Sequence, residues 1–404
     1  MESARLIAGV ARLVRDVGLA EELAHDALVA ALEQWPVDGL PPNPAAWLAM
    51  TAKRRAIDWL RRRKVRQRKQ AELEYHWDEA VVAAEENDHL DEDIGDNLLR
   101  LIFTACHPVL PPEARVALTL KTLGGFTTEE IGRAFLVPEA TIAQRIVRAK
   151  RTLTEKQVPF EVPGSGQLAE RLASVLQVLY LLFNEGYVAT GGTDWIRPAL
   201  CEEAQRLGRI LAALMPDEAE VHGLLALLEL QASRLKARTR PDGEVVLLLD
   251  QNRAQWDQLL IHRGLAALAR GQALGQPPGF YLLQAEIAAC HARAVTADAT
   301  DWQRIARLYG ELHERAPSPI IALNGAVAIG MAHGPAAALP LVDALREDPA
   351  LQDYHLLSSV RGDLLAKLGR LPEARAEFTR AAALTRNDKE RLALLKRVQD
   401  CEIS

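Results

Sequence analysis

Apolar residues recur along most of the chain at the three- and four-residue steps of an α-helix. The first such row is Leu6, Val10, Leu13 and Val17, and a second row is Leu19, Leu23, Leu28 and Leu32. Steps of this size gather apolar side chains on one helix face, whereas a half-buried strand would alternate strictly between apolar and polar residues. The pattern predicts an all-α protein.

Prolines and glycines interrupt the helical pattern. Pro41, Pro42 and Pro44 precede a third apolar row, and residues 159–167 (PFEVPGSGQ) combine two prolines with two glycines. Because these residues end helices and favour turns, the second interruption predicts a domain boundary. About 240 residues rich in Ala and Leu follow it. Within them, residues 240–249 indicate either a turn with a short strand or a loop.

A repeat is visible near the C-terminus. Small and large residues alternate there at steps of 3, 4, 5, 4 and 3, through Gly362, Leu365, Gly369, Ala374, Phe378 and Ala381. This spacing is typical of a tetratricopeptide helix pair, in which small residues let two helices approach. An ordinary hairpin of two helices remains the alternative. With enough stacked units, the extension would form an α-solenoid-like domain.

Charge divides the first half of the chain into three segments. Residues 53–69 contain ten Lys or Arg and one acid, whereas residues 71–96 contain eleven acids and no Lys or Arg. A second basic cluster lies at residues 145–156. The order of basic, acidic and basic segments favours two nucleic-acid-facing modules joined by an acidic connector. Solvated helix faces are the alternative for either basic run. The net charge of −6 by itself argues against a nucleic-acid binder, but it averages over segments of opposite sign.

Several classes of site are disfavoured by the sequence. The four cysteines form no CxxC pair, which argues against a disulfide framework and a zinc site. There is no signal-peptide core, and the most apolar run, residues 175–183, is too short to span a bilayer. No catalytic or phosphate-binding motif is found, and adjacent Cys106 and His107 favour packing and a turn over catalysis. We therefore expect a cytoplasmic, non-enzymatic protein without cofactor or metal.

Residues 127–152 carry the most specific local pattern. Thr127 or Thr128 is placed to cap a helix, and Pro138 suits the start of a second helix. In the second helix, Ile142 and Ile146 are predicted to face the first. The opposite face then holds Thr141, Gln144, Arg145 and Arg148. Such a pair is a helix-turn-helix, whose second helix fits the major groove of DNA; an ordinary helical hairpin is the alternative.

A basic helix at residues 43–69 includes two tryptophans. Lys and Arg in this run would neutralise phosphates. Trp47 and Trp59 among them suggest stacking on unpaired bases. A position in the helical core is the alternative for Trp47.

Together, the strings NPAAWLAMTAKRRAIDWLRR and TTEEIGRAFLVPEATIAQRIVRAKRTL, separated by an acidic segment, resemble the extracytoplasmic-function sigma factors of bacterial RNA polymerase. The resemblance covers roughly residues 3–156. It implies that residues 16–35 bind the clamp helices of core polymerase, residues 43–63 recognise and melt the −10 element, and residues 127–152 read the −35 element beside the polymerase flap.

The resemblance also implies functional residues in three groups. The core-polymerase-binding group is Glu21, Glu22, Leu23, His25, Asp26 and Leu28. The −10 group is Asn43, Trp47, Lys53, Arg54, Arg55, Asp58, Arg61 and Arg62. The −35 group is Thr141, Gln144, Arg145, Arg148, Lys150 and Arg151.

The rest of the chain resembles a subgroup of these sigma factors with a tetratricopeptide-like extension. The matching strings include LYLLFNEGY, DQNRAQWD, TDWQRIARLY and APSPIIALNGAVAI, in that order. The implied domains are residues 1–70 (region 2), 71–97 (acidic linker), 98–157 (region 4), 158–167 (linker) and 168–404 (extension). The extension is expected to regulate the protein and to contact the sigma modules within the same chain. A DNA-binding regulator that is not a sigma subunit, or a scaffold, remains the alternative.

Overall fold

The computed structural model describes residues 2–70, 94–135, 137–187, 197–240, 246–385 and 388–403. These residues form helices joined by turns, and no strand occurs among them. The all-α prediction is confirmed. The chain divides into two compact units, Met1–Leu181 and Leu182–Ser404.

The helices that begin in the first unit include those of both predicted sigma modules. They are α1 (Glu2–Val14), α2 (Val17–Asp38), α3 (Pro44–Gln70), α4 (Ile94–Ala105), α5 (Pro112–Thr119), α6 (Thr128–Phe135), α7 (Glu139–Glu155) and α8 (Ser165–Tyr187). A π-helical turn, Leu120–Gly124, continues α5. Most of the predicted acidic connector, residues 71–93, lies outside the described residues.

The second unit consists of further helices in sequence. They are α9 (Pro198–Leu214), α10 (Ala219–Ala232), α11 (Gln258–Ala273), α12 (Phe280–Arg293), α13 (Trp302–Arg315), α14 (Pro319–His333), α15 (Pro335–Ala344), α16 (His355–Lys367), α17 (Leu371–Leu384) and α18 (Asp388–Ile403). Short 3₁₀ turns occur at Leu235–Ala237, Leu248–Asp250, Arg253–Gln255, Leu345–Glu347 and Pro349–Leu351. None of the described helices is both long and apolar enough to cross a bilayer.

Polar side chains fix where the first helices begin. Asp16 caps α2, because its Oδ1 accepts a 2.9 Å hydrogen bond from the Leu19 amide. Asn43 caps α3 in the same way, with a 3.1 Å bond from the Ala46 amide. Each cap satisfies a backbone N–H that has no partner within its own helix.

The first apolar row is mostly buried, with Leu13 half-buried, whereas the second row is not buried throughout. Leu6 and Val10 lie in the core, and so does Leu23, whereas Leu32 is 76% exposed. The step of five residues from Leu23 to Leu28 explains the difference, since it rotates later positions by about 140° around the helix. Alanines occupy the buried face of α2 instead, at Ala20, Ala24, Ala27, Ala30 and Ala31.

The division between the two units falls inside α8, after the predicted linker at 158–167. The first half of α8 is hydrogen-bonded to the end of α4: the Arg171 guanidinium donates to the Phe103 carbonyl at 3.0 Å, and the Ser174 hydroxyl donates to the Cys106 carbonyl. Arg115 in turn donates to Ser174. The last carbonyls of a helix lack intrahelical partners, and α8 supplies donors for them.

In the second unit, each helix from α9 onward packs against the next, as in a helical solenoid. The predicted repeat forms the pair of α16 and α17. Phe378 is buried, and a Cβ at Gly362 would lie 2.8 Å from its ring. Gly369 ends the first helix of the pair with a φ of +76°, which favours glycine. Small residues thus allow the two helices to approach.

We predict that Gly362→Ala destabilises the second unit by about 1–3 kcal/mol, because the added methyl group overpacks the Phe378 ring. Gly310→Ala is the matched control, since a Cβ at that helical glycine meets nothing within 4 Å. The control should stabilise the protein by about 0.5–1 kcal/mol. Urea unfolding followed by circular dichroism measures both changes, and equal midpoints for the two variants would contradict the close approach.

Candidate nucleic-acid interface

The helix-turn-helix is formed by α6 and α7. Thr127 and Glu130 make a capping box at the start of α6, with the Thr127 amide donating to Glu130 Oε2 at 2.8 Å and the Glu130 amide donating to Thr127 Oγ1 at 3.1 Å. A Cβ at Gly132 would lie 2.7 Å from the Val137 carbonyl oxygen, so the turn requires glycine there. The Thr128 hydroxyl then donates to Glu139 Oε1 at 2.8 Å, which joins the two helices.

The two faces of α7 differ in burial and chemistry. Ile142, Ile146, Ala149 and Leu153 are buried along one face. On the predicted reading face, Gln144 and Arg148 are exposed, while Thr141 and Arg145 are half-buried. This face therefore presents hydrogen-bond donors that could reach base edges or phosphates.

Val147 is a further exposed side chain on α7, at 64% exposure, and is not among the predicted −35 residues. It lies three residues after Gln144, so the helical spacing that made Gln144 a −35 candidate could also have identified Val147. An exposed aliphatic group on a groove-facing helix could contact a thymine methyl group.

The last two predicted −35 residues have acidic partners. Lys150 Nζ lies 2.6 Å from Glu21 Oε2 on α2. Arg151 Nε lies 2.6 Å from Glu155 Oε1 on the same helix. The structure therefore places these two cations in ion pairs.

Helix α3 contains Trp47 and Trp59, the two candidates for stacking on unpaired bases. Trp47 is half-buried, and its ring packs edge-on against Trp35 with 5.5 Å between centroids. Trp59 is also half-buried, and the Arg63 guanidinium lies 5.4 Å from its ring centroid. Both rings have packing partners and retain some exposed surface.

The remaining −10 candidates of α3 differ in exposure. Asn43 is exposed and caps the helix. The other exposed members are Arg54, Asp58, Arg61 and Arg62, and the half-buried members are Lys53 and Arg55. The three exposed arginines on this solvated helix could follow a nucleic-acid backbone, whereas the Asp58 carboxylate would repel phosphates.

Most of the predicted polymerase-binding residues of α2 lie on its surface. Glu22, His25 and Asp26 are exposed, and Glu21 and Leu28 are half-buried. Asp26 Oδ2 forms an exposed ion pair with Arg55 of α3 at 3.2 Å. Leu23 is only 8% exposed and packs in the helical core instead.

The structure brings part of the polymerase-binding group together with part of the −35 group. Glu21 contacts Lys150 and also lies 3.9 Å from Lys121 Nζ in the π-helical turn. Beside them, the Thr154 hydroxyl donates a 3.0 Å hydrogen bond to Asp16 Oδ2. No short-range pattern indicates these contacts, because Glu21 and Lys150 are 129 positions apart.

Cys106 and His107 do not form a nucleophile and base. Cys106 is buried, and burial raises the pKa of its thiol to about 11. His107 Nδ1 accepts a 3.1 Å hydrogen bond from the Val109 amide in the turn after α4, and burial lowers its pKa to about 4. A protonated thiol is a poor nucleophile. Among the described residues, no group of three or more His, Cys, Asp or Glu could hold a metal ion.

Three protein families match successive parts of the chain. Sigma-70 region 2 matches residues 1–66, and sigma-70 region 4 matches residues 100–153. A family of unknown function, DUF6596, matches residues 171–272. The first two matches coincide with the modules that contain α3 and the helix-turn-helix, and neither sigma-70 family is a family of enzymes.

One relative matches the chain over most of its length. An uncharacterized protein of Rhizobium meliloti (strain 1021) is 43% identical over 380 residues, which cover 94% of this chain and 89% of the relative. No solved structure matches the chain significantly. With both sigma-70 regions in order and an additional C-terminal domain, the chain belongs to the sigma-70 family as a sigma factor of the extracytoplasmic-function type.

Proposed function

We propose that this sigma factor binds core RNA polymerase in the cytoplasm and directs initiation at promoters that it recognises through α3 and α7. The observation that carries the proposal is the division of α7 into a buried aliphatic row and a donor-rich opposite face. A helix of this kind can be held by its own module on one side while it lies in a major groove on the other.

Each of the three candidate groups would have a separate task. The exposed carboxylates of α2, Glu22 and Asp26, would meet the polymerase clamp helices. The cationic side chains of α3 would neutralise phosphates at the −10 element, and Trp59, beside Arg63, would support an unpaired base by stacking. Gln144, Arg145 and Arg148 would read the −35 element.

We predict that Arg145→Ala and Arg148→Ala lower transcription from a promoter with a −35 match. A bidentate base contact contributes about 1–3 kcal/mol, which corresponds to a loss of roughly 5- to 150-fold. The loss is measured by run-off transcription with core polymerase and either the unsubstituted protein or one of the variants. A promoter that lacks a −35 match should lose much less.

Arg263→Ala is the control for this experiment, because Arg263 is exposed on α11 in the second unit. Equal losses on both promoters would exclude base reading by the two arginines. Tight sequence-specific DNA binding without polymerase, together with no stimulation of core polymerase, would favour a regulator that is not a sigma subunit.

We also propose that the C-terminal extension regulates the sigma modules. The match to the family of unknown function begins at residue 171, and Arg171 and Ser174 lie in the part of α8 that is bonded to α4. The beginning of the segment that matches this family therefore belongs to the first unit. This observation supports regulation of region 4, by inhibition or by assistance.

We predict that a chain ending at Leu181, which retains the first unit, differs several-fold in run-off transcription from the full chain. A chain ending at Val162 should also lose thermal stability, because Arg115 and the carbonyls of Phe103 and Cys106 lose partners. Each unsatisfied buried group costs about 1–3 kcal/mol. Unchanged transcription by the first chain, with unchanged hydrogen exchange in residues 1–156, would show that the extension is independent.

A further inference from the structure

Two arginines flank the ring of Trp256 in the second unit. The guanidinium carbons of Arg234 and Arg253 lie 5.7 and 4.9 Å from the ring centroid. Arg234 directly follows Ser233, the C-cap of α10, and the Asp257 amide donates a 2.8 Å hydrogen bond to the Ser233 carbonyl. This bond holds the turn that contains Arg253 and Trp256 against the end of α10, so the three side chains form one cluster.

Arg234 is a buried cation without a carboxylate partner. The residue is only 7% exposed, and its Nε is buried without a hydrogen-bond acceptor. Among the described residues, its guanidinium forms no ion pair. The rings of Trp256 and Tyr187 attract the cation, but they supply neither a negative charge nor an oxygen acceptor. Buried charges are normally paired, so the surroundings of Arg234 favour an anion.

Arg253 is oriented by neutral acceptors. Its Nη1 donates to the carbonyls of His291 and Ala294 at 2.5 and 2.7 Å, and its Nη2 donates to the Thr300 hydroxyl at 3.0 Å. Its Nε is buried without an acceptor. The two carbonyls belong to the end of α12, whose partial negative charge offsets only part of a full positive charge. Arg253 is therefore fixed in place, while its charge stays incompletely compensated.

The positive charges of the cluster reinforce one another. A third guanidinium carbon, that of Arg238, lies 3.7 Å from the Tyr187 ring centroid, and Arg238 has further interactions within the chain. Burial lowers the pKa of Arg238 and of Arg253, and the nearby charge of Arg234 lowers both further. Burial, together with Arg234 and Arg253, also lowers the pKa of His291 to about 3, so this imidazole is neutral at physiological pH. Because guanidinium groups keep their protons, the cluster carries a concentrated positive charge.

The Trp256 indole supplies a further donor. Trp256 is 3% exposed, and its Nε1 is buried without an acceptor, like the Nε atoms of Arg234 and Arg253. An oxyanion accepts hydrogen bonds from several N–H donors at once and compensates positive charge. A phosphate group matches better than a single carboxylate, because its charge of about −1.5 to −2 at pH 7 balances two arginines.

We propose that Arg234, Arg253 and Trp256 bind a phosphate group, either as inorganic phosphate or as the phosphate end of a small metabolite. The donors are too deeply buried for the phosphates of a nucleic-acid duplex to reach them. Arg253 and Tyr187 are half-buried, which leaves the edge of the cluster open to a small anion. The site lies wholly in the second unit and does not depend on the proposed sigma function. A ligand bound there would stabilise the extension.

Calorimetric titration of the full-length chain with sodium phosphate tests the site directly. Sodium chloride keeps the ionic strength constant, so that general screening does not contribute. We expect saturable binding of one phosphate per chain. In thermal unfolding followed by circular dichroism, the midpoint should rise by about 5 °C at a phosphate concentration of about one hundred times Kd, because a ligand of the native state stabilises that state.

Arg234→Met is the decisive variant, because it keeps much of the aliphatic stem and removes the charge. We expect its phosphate affinity to fall at least about tenfold, as for the loss of a charged hydrogen-bond donor. Without phosphate, the variant should melt at the same temperature as the unsubstituted chain or higher, since an uncompensated buried charge destabilises a protein. A structural role for Arg234 would not give this second result.

Arg361→Met is the matched control. The Arg361 side chain is only 11% exposed, but its guanidinium pairs with Asp343 and Glu377 at 2.7 and 2.8 Å. Removal of this cation leaves two carboxylates unpaired, so the melting temperature should fall while the phosphate affinity stays unchanged. Arg263→Met, at an exposed position of α11, should change neither quantity.

A panel of anions separates the two sources of phosphate. Tighter binding of glycerol 3-phosphate than of inorganic phosphate would support a metabolite with a phosphate end, and equal or weaker binding would support inorganic phosphate itself. Tighter binding of succinate than of either phosphate compound would overturn the assignment of phosphate.

Two further results would overturn the site. The first is the absence of saturable binding of both phosphate compounds to the unsubstituted chain at millimolar concentrations. The second is an Arg234→Met protein that keeps its phosphate affinity, fails to fold or melts at a lower temperature without phosphate. Retained affinity would place the phosphate elsewhere, and lost stability would show that the chain itself compensates the Arg234 charge.

Discussion

The burial of α1 is the constraint on which the arrangement of the first unit depends. This short helix buries seven apolar side chains, from Ala4 to Val14, along one broad face, while Arg5 and Arg12 on the other side are exposed. Region 2 covers one side, and α4 with the π-helical turn covers another. Because burial of apolar area is the main favourable term in folding, this shared packing holds the two modules together.

Polar contacts give the same interface its specificity. Apolar packing alone would tolerate several orientations, whereas Glu21, Lys150 and the Asp16–Thr154 hydrogen bond fix one. Partly buried ion pairs add less to stability than apolar packing does, since their attraction is offset by desolvation. Such a contact combines a defined geometry with a modest contribution to stability.

Helix α8 shows how the extension is joined to the sigma fold. Its first half provides donors for carbonyl groups at the end of α4, which would otherwise be buried without partners. In the second unit, α16 and α17 approach closely at Gly362 and Phe378, because glycine lacks the side-chain volume that would keep the helices apart. The join between α4 and α8 therefore depends on satisfied backbone groups, and the α16–α17 pair depends on complementary side-chain size.

The sequence by itself determined the local elements, because their causes lie within a few residues. The capping box at Thr127 and Glu130, the buried row from Ile142 to Leu153 and the small residues of the α16–α17 pair all follow from helical spacing. Where the spacing broke, as at the five-residue step before Leu28, the expected burial of Leu32 failed. Only the tertiary structure decided that Leu23 packs inside, that Lys150 pairs with Glu21 and that α8 belongs partly to the first unit. Those contacts join residues more than sixty positions apart or depend on neighbouring helices, and no short-range pattern encodes them.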